Sequence, residues 1–149
     1  MKTRAIIIDL DGTMADNSHR VHHVKKEKKD WALFNANIPH DKLNAWCYEI
    51  FYAFAQMGYA AVFVTGREGT YKIQCDTKTW LKKYGINPRY LYFRERGDYR
   101  KDSVVKKEIY EKEIEPRFNI LFAVDDRQQV VDMWRELGIV CLQCAKGDF

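Results

Sequence analysis

The stretch Arg4-Ala-Ile-Ile-Ile-Asp-Leu-Asp-Gly-Thr13 decides how the rest of the chain is read. From Ala5 to Ile8 every position is apolar, with no polar alternation. A strand wetted on one face would alternate, so residues 4–10 read as a strand buried on both faces, at the centre of a parallel sheet. The run ends in two aspartates, Asp9 and Asp11, with Gly12 relieving the turn that follows. In open parallel sheets, ligands bind outside the carboxyl ends of the strands. Both carboxylates are therefore expected where chemistry can be done.

Working outward, the chain repeats strand and helix. Apolar residues Leu43, Trp46, Cys47, Ile50, Phe51 and Phe54 recur at three- and four-residue spacing, so residues 41–57 read as a helix stopped by Gly58. Strands are expected over residues 59–64, 90–93, 119–124 and 139–144, and helices over 71–84, 102–114 and 128–137. Asp102 or Ser103 stands where it would cap the third of these helices. This order gives an α/β fold, a parallel sheet flanked by helices. Residues 17–40 interrupt it and read as a small helical or loop insertion. They carry His19, Arg20, His22, His23 and the run Lys25-Lys-Glu-Lys-Lys29. The histidines lack tidy metal-ligand spacing. Trp31 and Phe34, in the same insertion, read as its core in preference to platforms for a nucleobase.

With 149 residues, 46% hydrophobic and 14% aromatic, the composition supports a real core and one domain over 1–149, which excludes wholesale disorder. No apolar run approaches the roughly 20 residues of a membrane helix, and no secretory leader is seen, so no membrane partner is expected. The net charge of +4 suits a polyanionic partner without requiring one. Four cysteines make no disulfide framework, and Cys141-x-x-Cys144 reads as part of a last buried strand in preference to a redox or zinc site. A reducing, cytoplasmic location is expected.

Polar groups cluster at three expected strand ends: Asp9 and Asp11, then Thr65-Gly-Arg67, then Asp125-Asp-Arg127. Converging carboxylates repel one another unless a hard cation or a basic side chain neutralises them, and oxygen ligands suit Mg²⁺. Lys106 lies four residues after Asp102, so the two share a helix face.

The set Asp9-Leu-Asp-Gly-Thr13, Thr65-Gly-Arg67, Lys106 and Asp125-Asp126 resembles the four motifs of the haloacid dehalogenase superfamily of phosphohydrolases. The resemblance extends over the whole chain, most weakly over residues 17–40, to the 3′-phosphatase domains of bacteriophage polynucleotide kinase–phosphatases. It includes the final Gly147-Asp-Phe149, which leads to the expectation that the chain is complete at that end. The resemblance implies a Rossmann-like, haloacid dehalogenase-like sheet with a small cap, and a Mg²⁺-dependent polynucleotide 3′-phosphatase of DNA or RNA ends acting in nucleic-acid end repair. It further implies that Asp9 is the nucleophile, Asp11 the acid and base, and Asp9, Asp126 and the backbone carbonyl of Asp11 the metal ligands. Thr65 and Lys106 would contact the phosphate, with Gly66 beside them. Arg20 and Arg67 would contact phosphate or nucleic acid, and Asp102 and Asp125 would hold Lys106 and the metal's waters. A homodimer is a further expectation from the resemblance alone. No G-x-x-x-x-G-K-[ST] occurs, so no 5′-kinase activity is expected. Two other functions compete: a phosphatase of free nucleotides, and an inert module that binds nucleic-acid ends. The second has no use for an acid/base carboxylate at Asp11. A cationic rim of Arg20, Arg67, Arg94, Arg96, Arg127 and residues 25–29 is expected around the active edge.

Overall fold

The structure, a computed structural model, describes residues 1–147, so only Gly147 of the terminal Gly147-Asp-Phe149 falls within the described residues. Strand β1 (Thr3–Ile8) lies at the centre of a five-stranded sheet ordered β5-β4-β1-β6-β7. The other strands are β4 (Ala60–Glu68), β5 (Tyr90–Arg94), β6 (Phe118–Asp125) and β7 (Cys141–Gln143). All four pairings are parallel. The helices between them are α2 (Ala45–Gln56), α3 (Tyr71–Lys83), α4 (Asp102–Ile109) and α5 (Gln128–Glu136).

The unbroken apolar run of β1 supplies both faces of the sheet. Ala5 and Ile7 join Val62, Val64 and Ala123 beneath Val130, Val131 and Trp134 of α5. Ile6 and Ile8 join Phe63, Val124, Cys47 of α2, and Trp80 and Leu81 of α3 on the other face. Each face thus excludes water by packing against helices, as a central parallel strand requires.

Besides shifts of one or two residues at other element ends, four differences from the sequence expectation stand out. Helix α2 starts at Ala45 because Lys42–Leu43 form a short strand, β3, antiparallel to β2 (Ala15–Asp16). Strand β4 runs on to Glu68, which pairs with Arg94, so Thr65-Gly-Arg67 lies inside the strand. Helix α4 gives way to a π-helical turn, Tyr110–Ile114, whose closing bond runs from Glu115 N–H to the Tyr110 carbonyl at 2.8 Å. Lys101, without a side-chain bond, occupies the cap position of α4, and Asp102 stands in the first turn, where its charge suits the helix dipole.

Residues 17–40 hold two single 3₁₀ turns and one short helix, α1 (Trp31–Ala36), capped by Asp30, whose Oδ1 accepts from Leu33 N at 3.0 Å. Cys141 is buried in β7 and Cys144 is half-buried beyond it. Burial pushes the Cys144 thiol up to about 11, so it stays protonated at neutral pH. No described helix is long and apolar enough to cross a membrane.

Candidate active site

The carboxyl ends of β1, β4 and β6 open into a cavity of about 340 Å³ whose lining includes Asp9, Asp11, Gly66, Arg67, Asp102, Asp125 and Asp126. Asp9 follows the last residue of β1, where its N–H donates to the Val124 carbonyl at 3.1 Å and fixes it beside β6. Lys106 Nζ donates to Asp9 Oδ1 at 2.8 Å, and Thr13 Oγ1 donates to Asp9 Oδ2 at 3.0 Å. Lys106 also donates to Asp125 Oδ2 at 2.9 Å and stands 3.7 Å from Asp102 Oδ2. This ammonium, 1% exposed, is the hub that lets three carboxylates be buried together.

The balance is incomplete. Burial, then Asp125, raise Asp9 well above the usual carboxylate range, although Lys106 pulls it down. Burial and Asp125 also raise Asp126 to about 7. Asp9, Asp125 and Asp126 are the described group suited to a metal ion, with one oxygen of each within 4.8 Å of the others. Asp125 has little donor capacity to spare: Oδ2 takes Lys106, and Oδ1 takes the backbone N–H groups of Asp126 at 2.9 Å and Arg127 at 3.3 Å. Asp9 and Asp126 are therefore the better placed donors, and a cation between them would relieve the repulsion that raises both. The histidines of the insertion contribute no ligand to this group. A Cβ on Gly12, at φ +77°, would lie 2.2 Å from Asp126 Oδ2, so glycine at 12 is what lets Asp126 approach the turn after β1. A Cβ on Gly66 would likewise fall 2.3 Å from Asp102 Oδ1.

Asp11 occupies a separate network. Arg67 reaches its oxygens at 2.6 and 3.1 Å, and Arg20 Nη2 donates to Oδ1. Despite burial, the two guanidinium groups hold the Asp11 carboxyl far below the usual range. Both arginines share a second carboxylate, Asp41. It accepts from Arg20 Nε and Nη2, each at 2.7 Å, and from Arg67 Nη2 at 3.4 Å. His19 Nε2 lies 2.7 Å from Asp41 Oδ1, and Trp80 Nε1 donates to the Asp41 carbonyl at 2.8 Å.

Burial corrects the expected rim. Arg20 is wholly buried and Arg67 is 3% exposed, so neither belongs to an exposed edge, although Arg67 still reaches the cavity wall. Arg96 and residues 25–29 are absent from the cavity lining. The basic residues that line it besides Arg67 are Arg94, Arg100, Lys101 and Arg127, grouped around the loop before α4 and the start of α5. Thr65 is fully buried, and its Oγ1 accepts from Arg67 N–H at 3.2 Å. Phe34 is core, as expected, but Trp31 is not: it is 45% exposed and lines the cavity.

Two partners escaped the sequence reading. Asp41 was absorbed into the expected helix, and Thr13 was read only as the end of a motif. No local signal singles out Asp41, because Asp16, Glu27 and Asp30 all lie nearer to Arg20 along the chain.

The family described as the polynucleotide kinase PNKP phosphatase domain matches residues 3–149. The chain is 30% identical over 141 residues to a protein of Autographa californica nuclear polyhedrosis virus that is named as a bifunctional polynucleotide kinase/RNA ligase. The match covers 91% of this chain and 18% of the viral protein. Two solved structures, of a Pnkp1/Rnl/Hen1 complex and of the Pnkp1/Rnl/Hen1 RNA repair complex, contain chains that are 36% and 35% identical, with TM-scores of 0.85 and 0.86. Each match covers 99% of this chain and 48% and 44% of the respective structural chain, so the chain spans less than half the length of these relatives.

Proposed function

The chain belongs to the polynucleotide kinase PNKP phosphatase domain family and is a phosphatase, and from that premise we propose that it removes the 3′-terminal phosphate from DNA or RNA ends. The observation that carries this is the setting of Asp9. It is a buried carboxylate with one oxygen on Lys106 and the other on Thr13, and it lines the cavity beside Asp126. Both contacts favour the ionised form that a nucleophile needs, against the burial and the Asp125 charge that raise its proton affinity, and a cation shared with Asp126 would complete the balance.

In the proposed reaction Asp11 takes up a proton from solvent as the substrate phosphate binds, Asp9 attacks phosphorus, the bond from phosphorus to the ribose 3′ oxygen breaks, and Asp11 gives that proton to the departing oxygen. Asp11 then takes a proton from water, which attacks the aspartyl-phosphate and releases inorganic phosphate and free Asp9. Arg20 and Arg67 keep Asp11 ionised at rest. Arg67 also lines the cavity, so a phosphate arriving there shares its charge and loosens its hold on Asp11. That coupling gives Asp11 the proton affinity its first role requires. Thr65 and Lys106 orient phosphate and nucleophile, and Asp102 and Asp125 hold Lys106. Asp9, Asp126 and the Asp11 carbonyl would hold Mg²⁺, which supplies charge neutralisation and orientation of the phosphate when bound. Residues 17–40 act as the cap, since Trp31, Phe34 and Asn35 face the cavity. No 5′-kinase activity is proposed for these residues, which contain no G-x-x-x-x-G-K-[ST].

The test is a comparison of a 3′-phosphorylated oligonucleotide with a 3′-mononucleotide under Mg²⁺. A higher kcat/KM on the oligonucleotide is expected. A preference for the mononucleotide would favour a phosphatase of free nucleotides, and no turnover of either would favour a binding module.

A further inference from the structure

Twelve large apolar side chains of the described residues are exposed, and two of these, Trp31 and Tyr99, line the cavity that holds the carboxylates. They come from separate segments. Trp31 opens α1 in the insertion, and Tyr99 lies in the loop between β5 and α4.

Trp31 is braced although it is wet. Its ring meets Phe34 edge to face, with centroids 5.5 Å apart and planes at 88°. The Arg20 guanidinium lies 4.2 Å from the Phe34 ring centroid, and Arg20 Nη1 donates to the Phe34 carbonyl at 3.3 Å. Arg20 is in turn paired with Asp11 and Asp41. The indole is thus tied through two buried side chains to the carboxylate read above as the acid. Lys29 Nζ stands 5.6 Å from the indole centroid and puts positive charge beside it. Tyr99 is 85% exposed, but the loop on either side of it is pinned. Arg94 Nη1 donates to the Asp98 carbonyl at 3.1 Å, and Arg100 pairs with Asp98 at 2.8 Å and with Glu108 at 2.7 Å.

A braced indole face left in water beside a phosphate-handling floor, with a second exposed aromatic on the same cavity, suits a ligand that is flat, apolar on its face and attached to a phosphate. A nucleobase meets all three conditions. Stacking on an aromatic side chain is tolerant of which base it is, because every base has a π-face. We propose that Trp31, with Tyr99, forms a nucleobase subsite that stacks the terminal base of the 3′-phosphorylated strand and so positions the phosphate over Asp9. This rests on the nucleic-acid reading above and adds the moiety that the enzyme recognises beyond the phosphate.

The experiment measures kcat/KM on two oligonucleotides of the same sequence. One ends in an ordinary nucleotide 3′-phosphate, and the other in an abasic tetrahydrofuran 3′-phosphate. Acetyl phosphate reports whether the catalytic centre is intact. The wild type is expected to favour the ordinary end about tenfold, the scale of one base–aromatic stack. Trp31→Ala is expected to bring that ratio close to one, Trp31→Phe to retain most of it, and Tyr99→Ala to reduce it in part. The ratio is taken within each protein, so a fall in the folded fraction does not move it. Equal rates on the two ends in the wild type, or an unchanged ratio in Trp31→Ala, overturn the subsite alone. Turnover of acetyl phosphate with none of either oligonucleotide overturns the nucleic-acid reading and the subsite with it.

Discussion

Lys106→Met removes the ammonium on which the buried carboxylates depend while keeping most of the side-chain volume. Its partners are Asp9 Oδ1 at 2.8 Å, Asp125 Oδ2 at 2.9 Å and Asp102 Oδ2 at 3.7 Å. At an effective dielectric constant of about 20, each short pair is worth roughly 6 kcal/mol of gross attraction and the longer one roughly 4.5. Desolvation of the lysine in the wild type offsets most of that sum, which leaves a net cost of about 3–5 kcal/mol for breaking a buried pair. For a chain of this length that corresponds to a fall of roughly 10–15 °C in Tm. The cost depends on pH with a definite sign. Asp9 is already raised by burial and by Asp125 against the pull of Lys106, so losing Lys106 raises it further. A carboxyl whose folded value exceeds its unfolded value binds protons on folding, so its stability is present at low pH and is lost as pH rises through the folded value. The deficit of Lys106→Met should therefore be smaller at pH 5 than at pH 8. Thermal melts of both proteins in chelator at the two pH values measure it, with Lys107→Met, an exposed neighbour, as control. A deficit that is equal at both pH values, or absent, would refute the hub role of Lys106.

Asp11→Asn should lose more activity on an oligonucleotide 3′-phosphate than on an aryl phosphate, whose leaving group needs no proton; equal losses in kcat would count against the acid role. Gly12→Ala should weaken Mg²⁺ binding, because its Cβ would stand 2.2 Å from Asp126 Oδ2 in a backbone conformation that alanine resists. Calorimetric titration checks this, and an unchanged Kd would sink it. The KM of a 3′-phosphorylated oligonucleotide should rise more steeply with salt than that of a 3′-mononucleotide, and Lys101→Gln at the cavity wall should flatten the slope by about 0.7. Identical slopes for the two substrates in the wild type would remove the basic lining as a strand contact.

Much of this architecture was legible because its causes are local. The unbroken apolar run from Ala5 to Ile8 implied a strand covered on both faces, and the core clusters contain that covering on both sides. The acidic and basic residues at three strand ends do meet around one cavity, since parallel strands share a carboxyl edge. The misread parts depend on contacts between distant segments. Nothing local marks Arg20 as buried. It needs Asp11 from the end of β1 and Asp41 from beyond the insertion to neutralise it, and the chain folds residues 17–40 back to bring them together. Residues 41–44 carry the same polarity as a helix start, but Lys42 and Leu43 pair with Asp16 and Ala15, so α2 begins later. Trp31 and Phe34 are three residues apart on one short helix and read alike, yet only Phe34 is backed by a buried guanidinium.

The most direct test follows one oligonucleotide bearing a radiolabelled 3′-phosphate, incubated with Mg²⁺ and either the wild type or Asp9→Asn. The wild type should release labelled inorganic phosphate and leave a 3′-hydroxyl end, pass through a protein-bound label that survives acid quench, and do neither once Asp9 is an amide. Release of phosphate by Asp9→Asn at a rate comparable to the wild type, or retention of the label on the oligonucleotide by the wild type, would contradict a 3′-phosphatase built on Asp9.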